Sequence, residues 1–228
     1  MFAAISGAYD FNNRVHSLGL DQTWRRRTVK LAQLRGGETV VDVACGTGDL
    51  SLAFAGGLKK LGSGGRVIGV DFTYEMLPIA RKKTPANSPV PVAYLTGDAM
   101  ALPLPDACCD VVSIAFGIRN VADVSKALGE FRRVLKPGGR LLVLEFSQPR
   151  NKLIRWGNAV YCKHIMPHTA TALSGDKSGA YKYLPMSVDT FMEREVMEQK
   201  MRDAGFADVS HVPMTFGVVV CYRGALLA

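Results

Sequence analysis

Two glycines, Gly46 and Gly48, close the stretch VVDVACGTGD at residues 40–49, directly after a short apolar run. Lacking side chains, they let the backbone approach a ligand and take positive φ angles, while the helix expected after them offers N–H groups with no intrahelical partner. Nucleotides use such turns. A dinucleotide site wants G-x-G-x-x-G, and the sixth position here is Ser51, so that reading is a near miss. The acids discriminate further. Asp42 stands four residues before Gly46 and Asp49 directly follows Gly48, a negative rim that would repel a pyrophosphate and attract a ligand carrying an ammonium and a sulfonium. S-adenosyl-L-methionine fits that description. Asp71, closing the apolar run RVIGVD, is placed to accept both ribose hydroxyls. Asp98, in LTGDAMALP, can accept from the adenine amino group while the amide of Ala99 donates to the ring. Taken singly, each aspartate reads equally well as a helix cap.

These residues must be held by elements of alternating type. A helical pattern from about Leu20 to Leu34 stops at Arg35-Gly36-Gly37; Thr39 to Ala44 reads as a strand and Leu50 to Leu61 as a helix. Arg66 to Val70 is strand-like, Tyr74 to Lys83 helical, and Val92 to Leu95 and Asp110 to Ala115 are strand-like. Lys126 to Leu135 is an amphipathic helix broken by Pro137-Gly138-Gly139, and Arg140 to Phe146 is a strand. This cadence predicts an α/β fold with a doubly wound, mostly parallel seven-stranded sheet, since parallel neighbours need crossovers and these are usually helices. From Gln148 the cadence breaks into an irregular, aromatic and basic insertion. A helix from Thr190 to Ala204 and strands Ala207 to Val212 and Phe216 to Tyr222, the last antiparallel, complete the fold. One domain over residues 1–228 is expected, with an N-terminal arm and helix over 1–35 and a substrate-covering insertion over 148–188.

The chain has 228 residues, 48% of them hydrophobic, enough for one sizeable core. No apolar run reaches the roughly 18 residues of a membrane span and no leader pattern opens the chain, so a cytoplasmic protein is expected. Five cysteines form no C-x-x-C pair, which predicts reduced, mostly buried thiols and no metal centre. The net charge of +8 favours encounters with nucleic acid or an anionic membrane surface. Arg25, Arg26 and Arg27, and likewise Arg81, Lys82 and Lys83, read as solvated helix faces.

Five longer stretches carry a family likeness: AYDFNNRVHSLGLDQTWRR at 8–26, DVACGTGDL at 42–50, FGIRNVADVSKAL at 116–128, RVLKPGGRLLVLEFSQP at 133–149 and AYKYLPMSV at 180–188. Together they resemble the UbiE/Coq5/MenG quinone C-methyltransferases, within the class I adenosylmethionine-dependent methyltransferases. The resemblance implies C-methylation of a polyprenylated quinol, most simply demethylmenaquinol, with a ubiquinone-type benzoquinol as the alternative. It also implies that Thr47, Asp71, Asp98 and Ala99 contact the cofactor. Ala115 matches a further contact at which relatives often carry serine, and Asp21 stands where they often carry histidine.

A quinol carbon becomes nucleophilic when a neighbouring hydroxyl loses its proton, and a phenol titrates near pH ~10, so its anion must be stabilised or its proton removed. Arg119, in FGIRN, is the candidate stabiliser because a guanidinium stays protonated; the competing reading is a structural ion pair at the sheet edge. Asn120 is placed to orient a quinol oxygen or a water. The proton acceptor stays open among Tyr9-Asp10 in the N-terminal arm, His164 and His168 in the insertion, and solvent water. Leu153, Ile154, Trp156, Tyr161, Ile165 and Met166, interleaved with Lys152, Arg155 and Lys163, suit peripheral contact at the inner face of a membrane, or else roof the core. A homo-oligomer or a quinone-biosynthesis complex is a compatible partner arrangement, and no nucleic acid is expected: the D/N-P-P-Y/F tetrapeptide of amine-methylating enzymes is replaced by AFGIRN. A non-catalytic scaffold retaining the cofactor positions is the remaining rival.

Overall fold

The computed structural model describes residues 9–62, 64–162, 187–188 and 190–228. These build one sheet from β1 (Thr39–Val43), β2 (Arg66–Asp71), β3 (Val92–Thr96), β4 (Cys109–Ala115), β5 (Leu135–Phe146), β6 (Ala207–Met214) and β7 (Val219–Ala225). The spatial order is β3-β2-β1-β4-β5-β7-β6. The first five strands are parallel, and β7 runs antiparallel between β5 and β6, as the cadence predicts. The chain winds outward from β1 to β3 and then crosses to β4. The loops after β1 and β4 therefore diverge and leave a crevice at the carboxyl edge.

Seven helices of the described residues flank the sheet: α1 (Tyr9–His16), α2 (Leu20–Leu31), α3 (Asp49–Lys60), α4 (Met76–Lys83), α5 (Val124–Val134), α6 (Lys152–Val160) and α7 (Arg194–Asp203). All five residues of β1 are buried, as befits a parallel strand covered on both faces. Its side chains alternate between two cores. Val41 and Val43 join Val112, Ile114, Phe131 and Met197 on one face; Val40 joins Leu142, Leu144, Trp24, Phe54 and Leu58 on the other. Each of these fully buried aliphatic or aromatic side chains contributes roughly 1.5–3 kcal/mol, so β1, which carries the glycine turn, is among the best-anchored strands.

Several boundaries differ from the sequence reading. The polar N-terminal arm is helical over Tyr9–His16. Helix α2 stops at Leu31, before the paired glycines, because Gln33 takes a positive φ of 48°. Pro137-Gly138-Gly139 does not end an element before a new one begins; it lies inside β5 as an irregularity at which pairing with β4 jumps from Cys109↔Leu135 to Val111↔Arg140. Gly138 supplies the positive φ of 72° for this bulge. The last strand also starts later than expected, at Val219, since Thr215 and Phe216 turn the chain with φ of 46° and 56°.

Candidate active site

The glycine turn is built by position. Gly46 and Gly48 have φ of 54° and 83°. A Cβ on Gly46 would meet open space, whereas one on Gly48 would come within 2.6 Å of the Tyr94 hydroxyl and 3.1 Å of the Ala80 Cβ. Gly46 therefore answers to backbone conformation alone, and Gly48 to conformation and close approach together. The turn is clamped to β2: Cys45 N–H donates to the Val70 carbonyl at 3.2 Å, and Gly46 N–H to Asp71 Oδ2 at 2.7 Å. Asp71 Oδ1 accepts from Thr73 N–H at 2.7 Å. Each Asp71 oxygen keeps a second lone pair, so the carboxylate can hold the turn and still accept ribose hydroxyls. Burial pushes its pKa up against these two backbone bonds.

The negative rim expected from Asp42 and Asp49 is not what the turn presents. Asp42 is 1% exposed and lies beneath the turn, accepting from the hydroxyls of Ser51 at 2.6 Å and Ser113 at 2.8 Å. Burial raises its pKa to about 6, against both serine bonds and the nearby Arg25 charge. Ser51, the residue that breaks the dinucleotide pattern, is thus a buried donor to β1. Asp49 is paired: Lys83 Nζ bonds it, Gln22 donates to it at 3.1 Å, and Arg14 lies 3.8 Å away. Burial alone would raise Asp49, but the Lys83 bond and the charges of Arg25, Lys83 and Arg14 outweigh it and hold the group below the ordinary carboxylate range. Lys83 also bonds Asp10 of α1 at 2.7 Å, and Asp10 accepts from the Thr47 hydroxyl at 2.6 Å. The N-terminal helix is therefore latched onto the turn.

Gly46, Thr47, Ala115 and Phe116 share one cleft with Arg25 and Asp49. Its volume is about 30 Å³, room for a water or two. Ala115 brings no hydroxyl to this wall. Asp98 lies in the adjacent loop, where Gly97 N–H donates to the Asp71 carbonyl at 3.0 Å; its own Oδ1 accepts from Met100 N–H at 2.8 Å, a local turn and not the helix cap that the sequence also allows, since among the described residues no helix lies between β3 and β4. Gly48 begins α3 beside these residues.

Arg119 comes from a short 3-10 turn, Ile118–Asn120, just beyond β4. Its Nη1 donates to Glu145 Oε1 at 2.6 Å and to the Phe116 carbonyl at 2.8 Å, and its Nε to Ser187 Oγ at 3.2 Å. The side chains of Arg119 and Glu145 are 5% and 0% exposed. The ion pair that competes with the catalytic reading is therefore present. Burial raises the Glu145 pKa, opposed first by the Arg119 charge, and among the described residues Glu145 Oε2 has no hydrogen-bond partner. Phe116 and Phe146 pack with centroids 4.7 Å apart and planes tilted by 40°, with Arg25 over the Phe116 ring at 6.0 Å and Arg119 over the Phe146 ring at 5.4 Å. Asn120 is exposed at the end of the same turn. Tyr9 opens α1, with its side chain outside the described residues; His164 and His168 also lie outside them, as do Lys163, Ile165 and Met166.

Three contributors escape the sequence reading. Arg25 is only 9% exposed, and the signal was its helical spacing with Asp21, Trp24 and Thr28, all buried on α2. Lys83 belongs to a basic run whose fold-back onto Asp10 and Asp49 has no local signature. Glu145 is legible as a lone charge ending the apolar run LLVLEF.

The residues fit an adenosylmethionine-type ligand by the chemistry of the donor set. A glycine cradle closes on a buried carboxylate suited to ribose, and a guanidinium and aromatic faces line the same wall. The ubiE/COQ5 methyltransferase family model matches residues 1–225. Over 224 residues the chain is 45% identical to a demethylmenaquinone methyltransferase of Thermus thermophilus, covering 98% of this chain and 99% of that protein. It is 42% identical over 226 residues to the ubiquinone/menaquinone biosynthesis C-methyltransferase UbiE of Geobacter sulfurreducens, covering 98% and 86%. Its fold is similar to that of a SAM-dependent methyltransferase from Aquifex aeolicus, with a TM-score of 0.64, 21% identity and 89% of each chain covered.

Proposed function

Because this chain belongs to the ubiE/COQ5 methyltransferase family, we propose that it methylates a ring carbon of a polyprenylated quinol with S-adenosyl-L-methionine, converting demethylmenaquinol to menaquinol. The observation that carries this reading is the end-to-end likeness, at 45% identity, to the demethylmenaquinone methyltransferase of Thermus thermophilus. The relative named for both ubiquinone and menaquinone biosynthesis supports a benzoquinol as the second reading.

When bound, adenosylmethionine supplies an electrophilic methyl group on a positively charged sulfur. The chain's own residues prepare its site and the nucleophile. Gly46 and Gly48 keep the turn low, and Asp71 holds that turn while keeping lone pairs for the ribose. Asp98 and the Ala99 amide, one loop further along the edge, suit the adenine. Arg119 is assigned to the quinol oxygen. Its protonated guanidinium favours the quinolate over the neutral phenol, which makes the adjacent carbon nucleophilic near neutral pH. Glu145 anchors that guanidinium from below. Asn120 is assigned to orientation at the same oxygen, and Tyr9-Asp10 stays a candidate acceptor of its proton.

Peripheral contact with a bilayer is supported by a paired apolar surface. Leu153 and Trp156 of α6 are 74% and 67% exposed, and Phe11 of α1 and the following Leu18 are 58% and 86% exposed. The Tyr161 hydroxyl, donating to the His16 carbonyl at 3.1 Å, holds the two segments side by side. Lys152 and Arg155 flank the apolar residues, as expected for a helix lying among headgroups. Among the described residues no helix is long and apolar enough to cross a membrane.

The test is transfer of a labelled methyl group from adenosylmethionine to demethylmenaquinol, to a demethylated benzoquinol and to RNA. Label in the naphthoquinol supports the main reading, and label confined to the benzoquinol moves the assignment to the second. Label in neither quinol overturns both.

A further inference from the structure

We infer that Arg25 is the docking cation for the carboxylate at the amino-acid end of the methyl donor, an inference that rests on the adenosylmethionine-dependent reading above. Arg25 lies on α2, nine-tenths buried, and lines the same cleft as Gly46, Thr47 and Ala115. A guanidinium carries five N–H donors. Among the described residues Arg25 makes one hydrogen bond, from Nη1 to Asp21 Oδ2 at 2.6 Å. The rest of its fork has no protein acceptor among the described residues and is not sealed off, so it is open to a ligand in the cleft that Arg25 lines.

Among the described residues the nearby acids are already engaged. Asp42 is committed to Ser51 and Ser113 beneath the turn. Asp49 is taken up by Lys83, Gln22 and Arg14. Asp21 already holds Arg25, and it also accepts from Ser17 at 3.1 Å and Gln22 at 3.0 Å. The guanidinium is further set by the Phe116 face, 6.0 Å from its carbon. It is thus held by two groups while lining the cleft, an arrangement that suits a planar bidentate anion.

The layout of the edge says which part of the donor this is. Asp71 and the loop bearing Asp98 lie on the β2 and β3 side and suit the nucleoside. Ala115, Phe116 and Arg119 lie beyond β4 on the substrate side. The amino-acid end is left at the turn itself, facing α2, where Arg25 stands. The Asp21 carboxylate gives Arg25 its anchor.

Calorimetric titration with two ligands tests the inference without turnover. S-adenosylhomocysteine carries the carboxylate; 5′-methylthioadenosine has the same adenosine and thioether but no amino-acid end. Arg25→Gln should weaken S-adenosylhomocysteine binding by about 10–100-fold, the worth of a charge-assisted hydrogen bond, and leave methylthioadenosine binding unchanged. Arg25→Lys should fall between wild type and Arg25→Gln. Equal losses for both ligands, or loss for neither, would overturn the inference. If Arg25→Gln does not fold, the wild type decides: adenosylmethionine must bind at least tenfold more tightly than its decarboxylated analogue, and equal affinities overturn the proposal. A wild type that binds none of these nucleosides would instead remove the adenosylmethionine-dependent reading on which it rests.

Discussion

Arg119 Nη1 and Glu145 Oε1 meet at 2.6 Å, and neither side chain is more than 5% exposed. One lies in the turn after β4 and the other at the end of β5, so the pair ties together the two strand ends that flank the substrate side. A buried pair adds little net stability, but breaking one half is costly. Its use is to hold a guanidinium in one orientation.

Glu145→Gln should therefore lower kcat more than it raises KM for adenosylmethionine, because it frees Arg119 to rotate without touching the donor site. The unpaired charge left behind should cost about 3–5 kcal/mol of stability, measurable by urea unfolding. Arg119→Ala should leave adenosylmethionine binding nearly intact and abolish transfer. It is tolerated more readily than the reverse change, since the raised Glu145 pKa lets that group take up a proton. Normal turnover in Arg119→Ala would remove it from the mechanism.

The two glycines should respond differently to the same change. Gly46→Ala, with open space around it, should cost only the left-handed backbone penalty of about 1–2 kcal/mol. Gly48→Ala adds a 2.6 Å approach to the Tyr94 hydroxyl, worth roughly another 1–3 kcal/mol. Adding Tyr94→Phe to Gly48→Ala should recover part of that second contribution in denaturant titrations. No recovery would mean that the clash is not the cause.

Asp42 predicts a pH signature. Its pKa is raised from 3.8 to about 6 by burial, so the native state keeps its proton after the unfolded chain has lost it. Stability from this group is greatest below pH ~4 and falls as pH rises through about 6, by on the order of 3 kcal/mol. Relative to wild type, Asp42→Asn should gain stability between pH 4.5 and 7.5. Urea midpoints of both proteins at the two pH values would show it, and a constant difference would refute it.

The Asp10 latch should set the mobility of α1. Asp10 is bonded by both Thr47 and Lys83, and the pair with Lys83 is about a third exposed, so Asp10→Ala should cost no more than ~1 kcal/mol globally. Amide exchange over Tyr9–His16 should accelerate in this variant while β1 stays protected. Unchanged exchange would show that other contacts hold the arm.

The parallel sheet was legible because buried strands and amphipathic crossovers leave strong local patterns. Boundaries slipped where one residue's backbone overrode composition, as at Gln33, and where a glycine pair made a bulge inside β5. Gly46, Gly48 and Asp71 could be read from type and spacing, since a close-approach turn after a buried strand needs them locally. The charge at the site could not. Arg25 read as a solvated residue among three arginines, yet it faces inward while Arg26 and Arg27 are exposed.

By itself, then, the chain's order of residues determined the fold class, the glycine turn and the family, because each is written in neighbours or in period. Only the tertiary structure decided which acids carry exposed charge: serines from two different elements bury Asp42, and a lysine more than thirty residues away in the chain neutralises Asp49. Electrostatic pairing depends on distance in space and on local dielectric, and neither is set by separation along the chain.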